Sequence, residues 1–507
     1  MSSSTPSQPS HAPALERALG PVMLWGLGVG YVISGEYFGW NLGLITGGTY
    51  GLLAAFVLIT VMYVTFVLSY TEMACAIPRA GGVFVYGVRG LGLAAGYLGG
   101  IAQVVEFVFA PPAIAFAIGA YAQFWLPVEL RESLVSQLDP WGLDARHAVA
   151  VVAYALFTAL NIWGVRQAAM FELAVTVLAV GELLLFTGVA APQFRWSNFT
   201  ANALPNGWWG VLPAIPFAIW FYLAIEGVAN AAEEAKNPQR DVARGFTAAM
   251  FTLVVLAGCV LVFGVGVGGW ERIVYKAADL STANDGTVVV AEAAEPQDTP
   301  LPLALGQFIE PGHWLYRVLI GVGLLGLVAS FNGIILVAGR ALFEMGRVGF
   351  LPHFIGRANA TTKTPINALL LNFAVGTLAV VFLDTGGLIT MSALGAATLY
   401  IVSMIALVQL RIREPDLPRP YRTPGYPLVP LVALTIATVA LVTMLYGNLN
   451  IEGGRAWLAG KTSLGEFLRG AITLWYLAFV AAAFAYYALV VRSRLRWDDI
   501  AHFHRVD

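Results

Sequence analysis

Twelve stretches of this 507-residue chain run for about twenty residues with almost no charge, and a helix needs about 20 apolar residues to cross a bilayer. They cover 21–46, 52–77, 95–126, 147–165, 169–191, 209–231, 245–268, 314–340, 366–383, 388–410, 426–446 and 469–491. Stretches of this length read as helices, which satisfy their own backbone N–H and C=O groups where no water is present. The expected fold is an all-α polytopic membrane protein with 12 transmembrane helices. Composition agrees. The chain is 58% hydrophobic and 11% charged, with mean hydropathy +0.73, whereas soluble domains carry about 25% charged residues. A net charge of −2 gives a nucleic-acid partner no support. The two cysteines, Cys75 and Cys259, both lie in apolar runs, which excludes a disulfide scaffold and a cysteine-rich metal site.

Basic residues orient the spans, since cytoplasmic loops collect Lys and Arg. With both termini inside, the tails and even-numbered connections hold 19 of the 28 basic residues, among them Arg17, Arg79, Arg166, Arg340, Lys363, Arg411, Arg496 and Arg505. Residues 1–18 are rich in Ser and Pro and lack an apolar core ending in a small-residue cleavage site; they read as a disordered cytoplasmic tail, not a signal peptide. Residues 492–507 form the second tail. The long outer segment, about 269–313, carries Glu271, Asp279, Asp285, Glu292, Glu295, Asp298 and Glu310. It reads as a solvated loop, with cation gathering by its field as the sharper alternative.

Two spans are interrupted by glycine beside glutamate: Ser34-Gly35-Glu36 in the first and Glu226-Gly227 in the sixth. A carboxylate at membrane depth costs roughly 2.5–3.5 kcal/mol on insertion scales, and helices broken at matching points of two halves mark transporter binding sites. Five spans from each break give units 19–206 and 207–411, followed by helices 11 and 12 in 412–491. Five being odd, the second unit enters the membrane from the opposite side, which makes an inverted repeat.

Cytoplasmic-edge signatures follow spans two, six and eight: Ile77-Pro78-Arg79-Ala80-Gly81-Gly82 with Tyr86, Glu233-Glu234-Ala235-Lys236-Asn237-Pro238, and Arg340 to Arg347 with Gly349-Phe350-Leu351-Pro352. With Pro415–Tyr421 and Pro424-Gly425, they resemble the amino acid–polyamine–organocation (APC) superfamily over residues 20 to about 490. The resemblance implies a LeuT-like 5+5 inverted repeat with discontinuous helices 1 and 6. Within the superfamily, Ser34 to Asn41 looks most like the ethanolamine permeases. Amino-acid-transporting relatives carry a Gly-x-Gly type break whose free N–H groups receive the substrate carboxylate. Here Glu36 is expected to occupy those N–H groups itself, repelling a carboxylate and attracting an amine.

The resemblance also places the substrate among spans one, three, six and eight. Expected substrate-binding residues are Ser34, Gly35, Glu36, Glu106, Trp220, Tyr222, Glu226, Ser330 and Asn332. Trp220 would close over an ammonium by a cation–π contact of about 0.5–2 kcal/mol, although aromatics in membrane helices often only pack. Glu106 precedes Pro111-Pro112, expected to distort span three. Glu72 and Glu172 read as structural acids. Glu36, Glu226 and Glu182 are candidates for proton coupling, because desolvation favours the neutral form of a carboxyl group. No cofactor or metal is implied.

The expected function is a secondary active transporter importing a small cationic amino alcohol, most readily ethanolamine, by alternating access with proton coupling. The setting is a plasma membrane with both termini cytoplasmic. An amino acid permease or exchanger of the same superfamily is the alternative. A membrane enzyme lacks support, since His11, His147, His313, His353, His502 and His504 all lie outside mid-span positions. No G-x-x-x-x-G-K-[ST] motif supports a primary pump.

Overall fold

The computed structural model describes residues 18–79, 81–138, 143–163, 168–284, 287–359, 362 and 364–495. Of the residues singled out above, Arg17, Ala80, Arg166, Asp285, Lys363, Arg496, Arg505, His11, His502 and His504 fall outside that set, as do nearly all of both tails.

Apolar composition without polar interruption gives long helices. The chain runs α1 (Pro21–Val32), α2 (Ser34–Tyr37), α3 (Leu42–Ala76), α4 (Val83–Leu91), α5 (Leu93–Ala122), α6 (Val128–Leu138), α7 (Ala145–Trp163) and α8 (Ala168–Ala190). It continues through α9 (Trp196–Thr200), α10 (Val211–Trp220), α11 (Gly227–Asn230), α12 (Pro238–Gly268), α13 (Glu271–Val274), α14 (Pro300–Leu305) and α15 (Trp314–Val348). The remainder is α16 (Ile366–Phe382), α17 (Thr385–Arg413), α18 (Leu428–Gly447), α19 (Ile451–Leu458), α20 (Leu464–Gly470), α21 (Ile472–Tyr486) and α22 (Arg492–Arg494). Among the described residues, 9 helices are long and apolar enough to cross a membrane. The first expected span is not one helix, since α1 and α2 run to Tyr37 and α3 resumes at Leu42, and the sixth is divided into α10 and α11. A short antiparallel hairpin, β1 (Leu280–Thr282) with β2 (Val288–Val290), interrupts the outer segment.

Helix α5 is the axis of the bundle. Its most apolar window is 94% buried, and it packs along α17, α15, α7 and α4. Pro111 and Pro112, the prolines expected to distort the third span, stand inside α5 without ending it. Other helices contact α5 on several sides, which supplies the packing that tolerates proline within a membrane helix.

At the edge read as cytoplasmic, charged pairs tie helices together. Glu72 of α3, almost fully buried, accepts Nε–H and Nη2–H of Arg411 at 2.7 and 2.6 Å and the backbone N–H of Thr423 at 2.7 Å. Arg419 Nε lies 3.2 Å from the same carboxylate. Arg89 grips Glu414 with two bonds of 2.9 and 2.6 Å, and Arg340 meets Glu234 at 3.2 Å. Glu72 is thus the structural acid it was expected to be. Removing one partner of a buried pair strands the others and costs about 3–5 kcal/mol. Glu72→Ala should therefore lower the melting temperature of the detergent-purified protein markedly, and an unchanged melt would show that the network carries no stability.

Candidate functional site

Gly35 does not break the first span. Ile33 donates its N–H to Val29 O and Phe38 to Ser34 O, so α2 carries the helix on by one turn. The chain leaves helical geometry at Phe38 (φ −159°, ψ 171°) and Gly39 (φ 86°). Gly35 is needed for close approach: a Cβ there would collide with the carbonyl oxygen of Trp220. Gly39 provides the left-handed residue that lets the chain turn. Asn41 stitches this turn, accepting the Gly39 N–H at 3.1 Å and donating to Gln297 O of the outer segment at 2.8 Å.

The expectation that Glu36 caps the following half-helix is overturned. Its backbone N–H goes to Ile33 O (3.1 Å), and its carbonyl accepts the indole N–H of Trp40 (3.2 Å). Neither carboxyl oxygen has a hydrogen-bond partner, although the side chain is fully buried. The physical reason is register. Glu36 belongs to the last turn of the incoming helix, before the free N–H groups created beyond Gly39.

In the sixth span the turn likewise falls at a different residue. Helix α10 stops at Trp220 and α11 starts at Gly227, and between them Ala224, not the glycine, takes positive φ (76°). A non-glycine residue pays about 1–2 kcal/mol for that conformation, so something must hold it. Glu106 of α5 does: its Oε1 accepts the Ala224 N–H at 3.1 Å. Glu106 is itself fixed by Ser392, whose hydroxyl donates to its backbone carbonyl at 2.6 Å.

This contact brings Glu106 and Glu226 side by side. The Tyr400 hydroxyl lies 3.3 Å from Glu226 Oε2 and 2.8 Å from the Tyr63 hydroxyl, and Tyr63 lies 3.3 Å from Ile219 O, so two hydroxyl protons serve two of these three contacts at a time. Glu106 and Glu226 share a side-chain hydrogen bond with each other, and Glu106 Oε2 and Glu226 Oε1 have no hydrogen-bond partner outside the pair. Among the described residues, neither acid forms an ion pair with a basic side chain.

The other expected site residues divide into groups. Trp220 is buried with its indole N–H unpartnered and packs edge-on to Phe38, ring centroids 5.4 Å apart. Tyr222 shares a 2.7 Å bond with Thr60 and packs against Phe56 and Tyr63. Ser330 bonds Ser34 Oγ and Tyr31 O, both at 2.8 Å. Asn332 is turned away, its amide oxygen taken by Asn161 of α7 at 2.9 Å. Glu182 sits beside the Tyr37 hydroxyl with one oxygen unpartnered. The structure thus joins Glu106 with Glu226 and Ser330 with Ser34, and it leaves Glu36 apart from the acid pair. Glu172 is buried, with Oε1 unpartnered beside Gly30 and Gly333. Ala224, Tyr63, Tyr400 and Ser392 escaped sequence reasoning. Hydroxyl groups in otherwise apolar spans two and ten were the available signal.

Residues 19–491 match the family model described as amino acid permease. An uncharacterized transporter of Rhizobium meliloti is 27% identical over 422 residues, covering 82% of this chain and 83% of its own length. The branched-chain amino acid permease BcaP of Bacillus subtilis is 25% identical, covering 82% and 85%. The methylthioribose transporter of the same organism is 26% identical, covering 84% and 88%.

Segment 269–313, read above as an outer loop, folds onto the bundle instead of lying fully solvated. Asp298 is buried against Thr385, whose hydroxyl donates to it at 2.9 Å, with Arg146 at 4.0 Å. These residues line a cavity of about 490 Å³ together with Phe116, His147 and Phe217. Burial pushes the Asp298 carboxyl up to about 6, against the opposing pull of Arg146 and Thr385. The folded segment therefore binds the proton more tightly than the open one. Its closure is firmest below the ordinary value of 3.8 and weakens as pH rises through about 6. Hydrogen exchange across 291–299, corrected for intrinsic rate, should increase between about pH 5 and about pH 7.5. Asp298→Asn should abolish the step, and a step that persists in that variant would assign it elsewhere.

Proposed function

The chain belongs to the amino acid permease family and is a membrane transporter, not an enzyme; from that premise we propose that it imports a small cationic amino alcohol, ethanolamine by preference. In this reading twelve spans form a LeuT-like 5+5 inverted repeat with discontinuous helices 1 and 6. Both termini face the cytoplasm of a plasma-membrane protein, and alternating access is driven by a coupled proton.

One observation carries the reading: the buried Glu106 and Glu226 carboxyl groups, deep in the bundle, bond each other, leave Glu106 Oε2 and Glu226 Oε1 with no partner outside the pair, and have no basic partner among the described residues. A buried acid pair that bonds to itself holds a shared proton or a counter-cation, and an ammonium, with three donors, can take that proton's place between the two groups. A carboxylate on the cargo would meet like charge there. The preference for an amine thus rests on this pair and no longer on Glu36. Trp220 and Phe38 supply ring faces next to the first break. Glu36 and Glu182, each buried with an unpartnered oxygen, carry the coupled proton. The second reading, an amino acid permease or exchanger, is favoured by the name of the B. subtilis branched-chain permease, whereas the methylthioribose transporter is not named for an amino acid.

Purified protein in liposomes should accumulate labelled ethanolamine under an inward proton gradient and not under a sodium gradient alone. Glu226→Gln should lower kcat/KM at least about tenfold, a loss of about 1.4 kcal/mol, without loss of expression. Undiminished uptake in Glu226→Gln would remove the acid pair from the site.

A further inference from the structure

We propose that Glu106 is a positioning residue for the turn in the sixth span: one carboxyl oxygen holds Ala224 in its left-handed conformation, and the other faces the cargo position beside Glu226. The two oxygens have different environments. Oε1 accepts the Ala224 N–H at 3.1 Å, while Oε2 is buried with no partner outside the Glu106–Glu226 acid pair. The acceptor comes from α5, the most buried helix of the bundle, and Ser392 of α17 fixes its backbone. The residue held is strained, since an alanine at φ 76° persists only where its surroundings impose it. That N–H has no other hydrogen bond among the described residues, whereas the neighbouring amides of Tyr222, Ile225 and Gly227 close turns within the segment itself.

The arrangement couples occupancy to shape. A cation drawn to Oε2 and to Glu226 pulls electron density and position away from the Ala224 N–H. The strained turn then loses its clamp, and α10 and α11 are freed to move relative to one another. With the pair unoccupied the clamp is firm. Glu106 thereby reports the presence of cargo to the segment that must bend for access to alternate. This deepens the transport reading above and rests on it for the cargo, but the clamp itself is testable without any substrate.

Two conservative variants separate the roles in crossed fashion. Glu106→Gln removes the charge but keeps an acceptor oxygen at the same reach, and its NH2 can donate to Glu226. Glu106→Asp keeps the charge but is one methylene too short to reach Ala224. Hydrogen exchange of residues 221–227 in the purified full chain should stay within about threefold of wild type in Glu106→Gln and rise at least about tenfold in Glu106→Asp. In liposomes the order should invert for affinity: Glu106→Gln raises the KM for ethanolamine, and Glu106→Asp holds KM while changing kcat. Equal exchange in the two variants, or faster exchange in Glu106→Gln than in Glu106→Asp, overturns the clamp. If the exchange pattern holds while the wild-type protein fails to transport ethanolamine, the clamp stands and the cargo assignment falls.

Discussion

A peptide N–H that leaves its helix inside a bilayer has no water to accept it, and at Ala224 the acceptor is a glutamate from another helix. Much of the site follows from that bond. It sets Glu106 against the sixth span, where Glu226 lies two residues beyond the turn, and so creates two adjoining acids. It commits one oxygen of Glu106 to the backbone and leaves the other with no partner outside the acid pair. Tyr400 and Tyr63 complete the arrangement by engaging Glu226 and the end of α10.

The acids of this chain fall into two populations. At the edge read as cytoplasmic, Glu72 and Glu414 are gripped by arginines, which pays the cost of burying them and fixes the helices. At mid-bundle, Glu36, Glu106 and Glu226 have no such partner among the described residues. Buried polar groups without partners cost several kcal/mol in stability, so their retention points to a group that visits. The first population is architecture, and the second is where cargo and protons are proposed to act.

The long helices were legible in the sequence because apolar runs of membrane length have one structural solution, although α3 starts at Leu42, inside the expected first span. The interruption of spans one and six was legible as well, through glycine beside glutamate. The residues that turn the chain were not. Glycine signals conformational freedom, yet Gly35 serves close packing against Trp220, and the turns use Gly39 and Ala224. No local rule assigns a left-handed conformation to an alanine whose support lies 118 positions away at Glu106. Glu36 was misplaced for a related reason: a shift of one helical turn moves a side chain from capping the next helix to closing the previous one. Asn332 read as a free polar ligand because its partner, Asn161, lies on a different span.

The most direct test of the account compares ethanolamine with serine, which is ethanolamine bearing a carboxylate on the amine-bearing carbon. Both present the same ammonium and hydroxyl to the site, and they differ in the one group that an acid pair repels. Equilibrium binding to the purified protein should favour ethanolamine by at least about tenfold, or about 1.4 kcal/mol. Equal or tighter binding of serine would contradict the acid pair as the element that selects the cargo.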